Sequence, residues 1–345
     1  MGDSLPELSS LGAGGAFLAA CVSTRVIIWV VERWRILDMP NERSAHAHAT
    51  PTLGGLGIVS GFWAGLALLL AISPDAILGR EVLWALLGSS IVLLLLIFDN
   101  VGRPLNVVEK LAIQAFGTAI WLVWGPHLQW ITLPGLGQLE LHAWGWGLTA
   151  LWLIGWSNVY NFMDGIDGIT ATQTIVAGAV LVACFMHLES PLWSIALLPM
   201  AAAAGFLVFN FPPARIFMGD VGSVFLGFFM AVLGILGERV GLPLWIFVLI
   251  LGYYAFDSLY TIARRALRGE NVLRAHRQHL YQQLDQRGWG HWRIDLGVLL
   301  VTLVLGGGGY AWLVGRIALG AGGMVAGGTA LIGLSIWLTY EEKGR

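Results

Sequence analysis

Charge is scarce in this sequence, because Asp, Glu, Lys and Arg together make up only 12% of its 345 residues. A typical soluble domain contains about 25% charged residues, so the composition argues against an ordinary soluble fold. The net charge of −2 offers no basic surface for a nucleic-acid partner, and none is predicted. Hydrophobic residues make up 57% of the chain and the mean hydropathy is +0.74, which indicates a protein embedded in a lipid bilayer.

Cysteine is also rare, with only two in the chain. Cys21 and Cys184 both fall inside apolar runs, where a cysteine usually acts as a small hydrophobic residue, so no disulfide is predicted. The first ten residues contain Asp3 and Glu7 but no Lys or Arg, and they lack the positive start of a signal peptide. The first apolar run is therefore predicted to be a retained span.

The apolar runs predict an all-α fold. A bilayer core about 30 Å thick is crossed by a helix of roughly 20 apolar residues. Measured against that length, the sequence predicts about eleven transmembrane helices, at 12–31, 53–72, 82–98, 108–124, 144–162, 166–187, 192–211, 222–238, 243–263, 294–314 and 318–339. The stretch 126–142 contains glycine and proline turn signals and is predicted to form a small hairpin.

The distribution of Lys and Arg predicts the orientation, because cytoplasmic segments of membrane proteins carry the excess of positive charge. With the N-terminus outside, fifteen of these residues fall in cytoplasmic segments and three in outer segments, while Arg25 lies inside a span. The whole chain, 1–345, is predicted to be one integral membrane domain with its C-terminus in the cytoplasm. Five polar clusters then lie on the cytoplasmic side, where 264–293 forms the long loop.

The polar cluster 158–168 lies between two apolar runs and contains two Asp-Gly pairs. Asp164 and Asp167 are three residues apart, which places them on one face if the segment is helical. Each is followed by a glycine, which permits a tight turn and close approach of the backbone to a ligand. Asparagine and carboxylate oxygens are ligands that suit magnesium. The alternative is that the Asp-Gly pairs only turn the chain between two spans.

Two further carboxylates lie where spans begin or end. Asp220 stands where a helix should begin after two prolines, so it is either an N-cap or part of a site for a metal-bound phosphate at the helix start. Asp99 directly follows an apolar run. It is either an interfacial acid paired with Arg103 or a carboxylate at the rim of a membrane cavity.

The last two clusters combine histidine and arginine. His276 and His279 are spaced to share a helical face, but no third histidine or paired cysteines stand beside them to complete a zinc site. Arg43 and His46, in the segment before the second span, could hold a phosphate. The seven arginines of 264–293 either follow the positive-inside rule or neutralise phosphate, and the sequence leaves both readings open.

In combination, these five clusters resemble the polyprenyl-phosphate N-acetylhexosamine-1-phosphate transferases of bacterial glycosyltransferase family 4, over about 38–282. The resemblance implies a multi-pass enzyme of the bacterial inner membrane with its active site facing the cytoplasm. It implies transfer of an N-acetylhexosamine 1-phosphate from a UDP-sugar to undecaprenyl phosphate, with release of UMP and with Mg²⁺ or Mn²⁺ as cofactor. It leaves a homodimer and the identity of the sugar open.

The same resemblance implies a role for each residue that matches the family. Asp99 would position or deprotonate the lipid phosphate, and the other catalytic residues implied are Asp164, Asp167, His276 and His279. The substrate-binding residues implied are Arg43, His46, Lys110, Asn210 and Phe217, of which the last two would hold and stack the uracil. The metal ligands implied are Asn161 and Asp220.

Two positions depart from the family pattern. Asn100 stands where the family has a second aspartate, and Gln278 stands where its histidine motif has a histidine. The second departure favours enzymes that initiate O-antigen or teichoic-acid synthesis over the muramoyl-pentapeptide transferases. A secondary transporter and a catalytically lapsed relative stay open as alternatives, and so does the choice between direct attack by the lipid phosphate and a covalent aspartyl intermediate.

Overall fold

The computed structural model describes residues 5–38, 49–72, 79–101, 104–272, 274 and 276–343. Its helices are α1 (Leu5–Trp34), α2 (Gly55–Ile72), α3 (Arg80–Leu93), α4 (Phe98–Val101), α5 (Val107–Trp124), α6 (Trp144–Met163), α7 (Ile169–His187), α8 (Leu192–Asn210), α9 (Gly219–Arg239), α10 (Leu244–Ile250), α11 (Gly252–Leu267), α12 (Leu280–Gln286), α13 (His291–Leu313) and α14 (Ile317–Lys343), with a 3₁₀ turn at Leu94–Ile97. The strands are β1 (Leu37–Asp38) and β2 (Thr50–Pro51), which pair with each other, and β3 (Trp130–Leu133) and β4 (Gly137–Glu140), which form a second antiparallel pair.

This architecture confirms the prediction of an all-α, multi-pass membrane protein. In the described part of the chain, nine helices are long and apolar enough to cross a bilayer: α1, α2, α3 with its 3₁₀ turn, α5, α7, α8, α9, α13 and α14. Helix α6 coincides with another predicted span and has a sufficient length of 20 residues, but its tryptophans and asparagines make it less apolar. The predicted span 243–263 differs from the rest.

The predicted span 243–263 is not one straight helix. It consists of α10 and α11, which are bent by 88° at Leu251. A Cβ atom on Gly252 would lie 2.5 Å from Leu305 Cδ1, so the glycine lets this elbow close against α13. The stretch 264–293 is likewise not all loop, because α11 continues to Leu267 and α12 lies within it.

Helix α9 lies at the centre of the bundle, with every residue from Val221 to Glu238 buried. Glycines allow its neighbours to approach closely. A Cβ atom on Gly55 of α2 would lie 2.3 Å from Gly222 Cα, and one on Gly227 would lie 2.4 Å from the Trp156 carbonyl oxygen of α6. The first turn of α9, which carries Asp220, is thereby held between α2 and α6.

The predicted hairpin in 126–142 is confirmed as β3 and β4, with Trp130 opposite Glu140 and Leu133 opposite Gly137. The hairpin is tied to the bundle by the buried carboxylate of Glu238. Glu238 Oε1 accepts hydrogen bonds from the backbone N–H and the hydroxyl of Thr132, and Oε2 accepts one from the Leu244 N–H. These bonds fix the end of α9 opposite to the one that carries Asp220.

Candidate active site

Four helices bring predicted site residues together in one polar network. Lys110 Nζ of α5 lies 2.8 Å from Asp99 Oδ2 of α4 and 2.7 Å from Asp220 Oδ2 of α9. Asn161 Nδ2 of α6 donates to Asp220 Oδ1 at 2.9 Å and to Ser223 Oγ at 3.1 Å. The Lys110 side chain is 27% exposed, and the two carboxylate side chains are 15% and 19% exposed. The network therefore lies at a partly open, strongly polar end of the bundle.

Local sequence features fix Lys110 in this position. Asn106 caps α5 by accepting a hydrogen bond from the Glu109 N–H, while the Glu109 carboxylate accepts one from the Asn106 N–H. This capping box starts α5 three residues before Lys110. Asp99 Oδ1 accepts a hydrogen bond from the Leu105 N–H at 2.7 Å, which holds the connection between α4 and α5. The described pairing of Asp99 is therefore with Lys110, and Arg103 lies outside the described residues.

The loop between α6 and α7 carries the two Asp-Gly pairs and does form a turn. Gly168 has a φ of 82°, a left-handed conformation that favours glycine, and it directly precedes α7. Asp167 Oδ2 accepts a hydrogen bond from the Ala214 N–H at 3.0 Å and lies 3.2 Å from His291 Nδ1. The turn and the functional interpretations are therefore compatible, because the turn places two carboxylates beside other polar segments.

Asp164 is the other carboxylate of this loop, and its surroundings shift its pKa. The pKa of Asp164 is raised to about 7, chiefly by burial; a hydrogen bond with Thr170 lowers the pKa, and the nearby Asp220 carboxylate adds a smaller increase. The side chain is nonetheless only half-buried. A cation bound near the two carboxylates would relieve the repulsion that Asp220 adds to the effect of burial.

Asn210, predicted to hold a uracil, is engaged with the backbone of two loops. Its Oδ1 accepts a hydrogen bond from the Gly168 N–H at 2.9 Å, and its Nδ2 donates one to the Ile216 carbonyl oxygen at 2.9 Å. The side chain is 6% exposed. Phe217 follows in the same loop and is half-buried, with its N–H donating to the Pro51 carbonyl oxygen. Contact of either residue with a base stays a prediction.

His279 is buried and bonded to a carboxylate that sequence reasoning missed. Asp257 of α11, which is fully buried, lies 3.1 Å from His279 Nδ1, and it accepts hydrogen bonds from the N–H groups of Leu280 and Tyr281 and from the Thr261 hydroxyl. These bonds fix the start of α12. A lone carboxylate inside the apolar run 243–263 was the signal that could have found Asp257, since such acids are costly in a membrane unless they are used.

Tyr281 connects the histidine segment to the loop that carries Asp164. Its hydroxyl donates a hydrogen bond to the Phe162 carbonyl oxygen at 3.0 Å, and a Cβ atom on Gly165 would collide with that hydroxyl. The His279 ring packs against Phe162, with ring centroids 6.2 Å apart. The two predicted clusters are therefore neighbours, although no direct contact between His279 and Asp164 is described.

His276 lies beside His279, with ring centroids 4.9 Å apart. Its Nδ1 accepts a hydrogen bond from the Gln278 N–H. Burial lowers the pKa of His276 to about 4, and the neighbouring His279 and Arg265 lower it as well. The ring is therefore neutral at pH 7, so His276 provides no positive charge for a phosphate in this arrangement.

His291, at the start of α13, is a second residue that sequence reasoning missed. Its Nδ1 lies 3.2 Å from Asp167 Oδ2 and its Nε2 lies 3.3 Å from Asp285 Oδ1. The ring thus bridges the loop before α7 and helix α12. Its only sequence signal was a polar ring at the edge of an apolar run, which is common at membrane interfaces.

Three predicted features cannot be located. Arg43 and His46 lie outside the described residues, and so does the side chain of Asn100.

The predicted metal site has few candidate ligands: among the described residues, no three or more His, Cys, Asp or Glu side chains are grouped so that they could hold a metal ion. Asp220 and Asn161 nevertheless have side chains of the carboxylate and amide types whose oxygens a hard cation such as Mg²⁺ prefers. Both cysteines are free thiols, as predicted.

Several known proteins are similar to this chain over most of its length. A model of the family described as glycosyl transferase family 4 matches residues 82–238. A protein of Bacillus subtilis (strain 168) named "Probable undecaprenyl-phosphate N-acetylglucosaminyl 1-phosphate transferase" is 30% identical over 299 residues, which cover 84% of this chain and 81% of the relative. A phospho-N-acetylmuramoyl-pentapeptide-transferase of Lacticaseibacillus paracasei is 33% identical over 271 residues, covering 74% and 81%, and one of Synechococcus sp. is 28% identical over 326 residues, covering 87% and 91%.

Proposed function

The chain belongs to glycosyl transferase family 4, and on that premise we propose that it transfers an N-acetylhexosamine 1-phosphate from a UDP-sugar to undecaprenyl phosphate and releases UMP. The observation that carries the proposal is the network in which Lys110 is held between Asp99 and Asp220, with Asn161 bonded to Asp220. The name of the Bacillus subtilis relative includes undecaprenyl phosphate and N-acetylglucosaminyl 1-phosphate, which supports this acceptor and makes UDP-N-acetylglucosamine the first donor to test.

In the proposed reaction, an oxygen of the lipid phosphate forms a bond to the β-phosphorus of the UDP-sugar. The bond from that phosphorus to the bridging oxygen breaks, and the bridging oxygen leaves on UMP. Both reactants are anionic, so cationic groups must neutralise their oxygens and hold them in line. Lys110 is suited to this role because its ammonium group already lies among carboxylate oxygens, which phosphate oxygens would replace. Asp99, still held by the Leu105 N–H, would then face the incoming lipid phosphate.

Mg²⁺ or Mn²⁺ is proposed as the cofactor, with Asp220 and Asn161 as its protein ligands. Their carboxylate and amide oxygens fit such a cation, and the Asp220 carboxylate contributes, after burial, to the raised pKa of the neighbouring Asp164, an unfavourable charge interaction that a cation would offset. When bound, the cation would neutralise oxygens of the diphosphate. Asn161 would have to turn its amide, because its Nδ2 now donates to Asp220 Oδ1.

On the nucleotide side, the proposed contacts come from the loops before α7 and before α9. Asn210 ties these loops together through Gly168 and Ile216, so we assign it the role of shaping the pocket. Phe217 is half-buried, and its ring is the candidate to stack on the uracil. Asp167 and His291, which lie 3.2 Å apart, are placed to fix the loop on which Asp164 stands.

The proposed site faces the cytoplasm of the bacterial inner membrane, as the positive-inside count indicates, and the reaction would initiate an O-antigen-like envelope polysaccharide.

A secondary transporter is less well supported. Transporters built from repeats place their sites near the midplane in matching broken helices of two halves. Here the acids Asp99 and Asp220 stand at helix ends, and one bent helix pair, α10 with α11, is described.

The test is an activity assay on membranes that contain the protein. With undecaprenyl phosphate, Mg²⁺ and a panel of UDP-N-acetylhexosamines, we expect release of UMP and formation of a lipid-linked sugar diphosphate from one donor of the panel. Asp220→Asn should lower the rate at least about 100-fold, because it removes a charge that would act at the reacting phosphates. Glu81→Gln, which changes an exposed carboxylate in the first turn of α3, serves as the matched control and should keep the wild-type rate.

Three outcomes would contradict this proposal. No UMP release with any donor, from protein that remains folded in detergent, would identify a catalytically lapsed relative. Full activity of Asp220→Asn would remove the metal assignment. Uptake of a solute into vesicles, without UMP release, would favour the transporter.

A further inference from the structure

A cavity of about 490 Å³ opens beside the C-terminal half of α1, and none of the network residues Asp99, Lys110, Asp220 or Asn161 lines it. Its wall comes from α1, from β2, from the end of α8 and from the loop before α9. The lining side chains that matter for its chemistry are Arg25, Ile28, Glu32, Phe209 and Arg215. A volume of this size lies within the range of small-molecule sites in proteins.

The cavity combines two positive charges, one negative charge and an apolar wall. Arg25 and Glu32 are seven residues apart on α1, so they lie on the same face, and Arg215 reaches the cavity from the loop before α9. All three side chains are exposed, and none of them forms an ion pair with another described residue. Two arginines suit a phosphate group, because the guanidinium fork matches phosphate oxygens. Glu32 suits a cation at the other end of the same ligand.

The surroundings of Arg25 indicate a ligand that comes from the bilayer. Arg25 stands nine residues before the end of α1, which is about 13 Å along the helix axis. Leu18, Val22 and Trp29 are 62%, 64% and 65% exposed and lie on the same side of α1 as Arg25. Arg25 is therefore a charged residue in an exposed apolar stripe of a spanning helix. An arginine at such a place is expected to have a partner or a function.

We propose that this cavity binds the headgroup of an aminophospholipid such as phosphatidylethanolamine. Its phosphodiester would lie between Arg25 and Arg215, its primary ammonium group would donate to Glu32 past Trp29, and its acyl chains would extend the other way along Leu18 and Val22. An anionic phospholipid without an amine would leave Glu32 without a partner. Free phosphate would leave both Glu32 and the apolar stripe unused.

The bound lipid would contact a loop that also reaches the candidate active site. Ala214 and Arg215 line the cavity, while the Ala214 N–H donates to Asp167 Oδ2 at 3.0 Å. Pro51 lines it too, and its carbonyl oxygen accepts the Phe217 N–H at 2.8 Å. A headgroup in the cavity would thus pack against the outer side of the loop whose inner side holds Asp167.

The test counts bound lipids and does not depend on enzymatic activity. Delipidated full-length protein in detergent is titrated with phosphatidylethanolamine, phosphatidylglycerol or phosphatidylcholine, and bound lipid is counted by native mass spectrometry. We expect wild type to hold phosphatidylethanolamine roughly fivefold more tightly than either other lipid, the size expected for partly exposed charge pairs. The double variant Arg25→Gln with Arg215→Gln should lose this binding. Glu32→Gln should still bind phospholipid but lose the preference for the amine.

Arg33→Gln is the matched control, because Arg33 is also an exposed arginine near the end of α1 but does not line the cavity. It should bind as wild type does. Equal phosphatidylethanolamine binding by wild type and the double arginine variant would overturn the proposal, as would a wild-type preference for phosphatidylglycerol. Displacement of the lipid by millimolar inorganic phosphate would identify a free-phosphate site and overturn the lipid assignment. Retained binding by Glu32→Gln shows that a variant of this cavity still folds.

Discussion

Replacing Lys110 with methionine tests whether the ammonium group between Asp99 and Asp220 is the working centre of the site. Since Nζ lies 2.8 Å from Asp99 Oδ2 and 2.7 Å from Asp220 Oδ2, these two oxygens are at most about 5.5 Å apart. Two unit charges at that separation repel by about 3 kcal/mol at an effective dielectric constant of about 20. Lys110→Met would therefore leave two mostly buried carboxylates with an uncompensated repulsion of that order.

Two measurements follow the variant. Thermal unfolding of the protein in detergent should show a stability loss of up to about 3 kcal/mol, because solvent at this partly open site screens some of the repulsion. UMP release from the UDP-sugar should fall at least about 100-fold, because a charge aimed at the reacting phosphates is lost. The double variant Lys110→Met with Asp99→Asn removes the repulsion as well as the ammonium group. It should regain most of the lost stability while it stays inactive.

This combination separates structure from chemistry. A Lys110→Met protein that releases UMP at the wild-type rate would refute the role of the ammonium group. A double variant that remains as unstable as the single one would refute the electrostatic argument, since the carboxylate pair would then not be the source of the loss. Recovery of activity along with stability in the double variant would mean that Lys110 only holds the site together.

Three further predictions concern the residues that hold the surrounding loops. Asp257→Asn should destabilise the protein by about 2 kcal/mol, because an amide cannot accept all the hydrogen bonds from His279, Leu280 and Tyr281. We expect faster hydrogen exchange of the backbone in 276–286, and unchanged exchange would contradict this prediction. Asn210→Ala should lower the free energy of unfolding by about 2 kcal/mol and raise KM for the UDP-sugar, because the two loops lose the side chain that links them. An unchanged KM would contradict the assigned role. The pKa of His276 is lowered to about 4 in the folded protein, so its contribution to stability is fully present above about pH 6.5 and is lost as the pH falls towards 4. Between pH 7 and pH 5, the free energy of unfolding of wild type should therefore fall by about 1 kcal/mol more than that of His276→Gln, after allowance for the partial exposure of the ring. An equal fall in the two proteins would contradict this.

The helices of this fold could be predicted because each apolar run is long enough to cross a bilayer on its own. The break between α10 and α11 could not. Periodicity and composition treat 243–263 as one apolar run, whereas at the bend Gly252 packs against Leu305, more than fifty residues further along the chain. Contacts of this kind between distant helices leave no mark in the local sequence pattern.

The centre of the candidate site was also accessible from the sequence. Asp99, Lys110, Asn161 and Asp220 are polar residues at the ends of apolar runs, where their cost in a membrane makes them conspicuous, and the structure brings all four together. What the sequence could not show is which polar groups contact substrate and which hold the backbone. Asn210 has the residue type of a base-binding side chain, but both ends of its amide are bonded to loop backbone.

Many polar side chains of the candidate site form hydrogen bonds with backbone groups, because the site is built from helix ends. The helices are positioned by side-by-side packing, which leaves the connecting segments at their ends without an apolar core of their own. A buried side chain can fix such a segment by binding several backbone groups at once: Asp257 accepts two N–H groups at the start of α12, and Asn210 accepts the Gly168 N–H while it donates to the Ile216 carbonyl oxygen. Loss of activity alone therefore cannot identify a substrate ligand here. The distinction requires a stability measurement beside each rate, because a group that only holds backbone must change both.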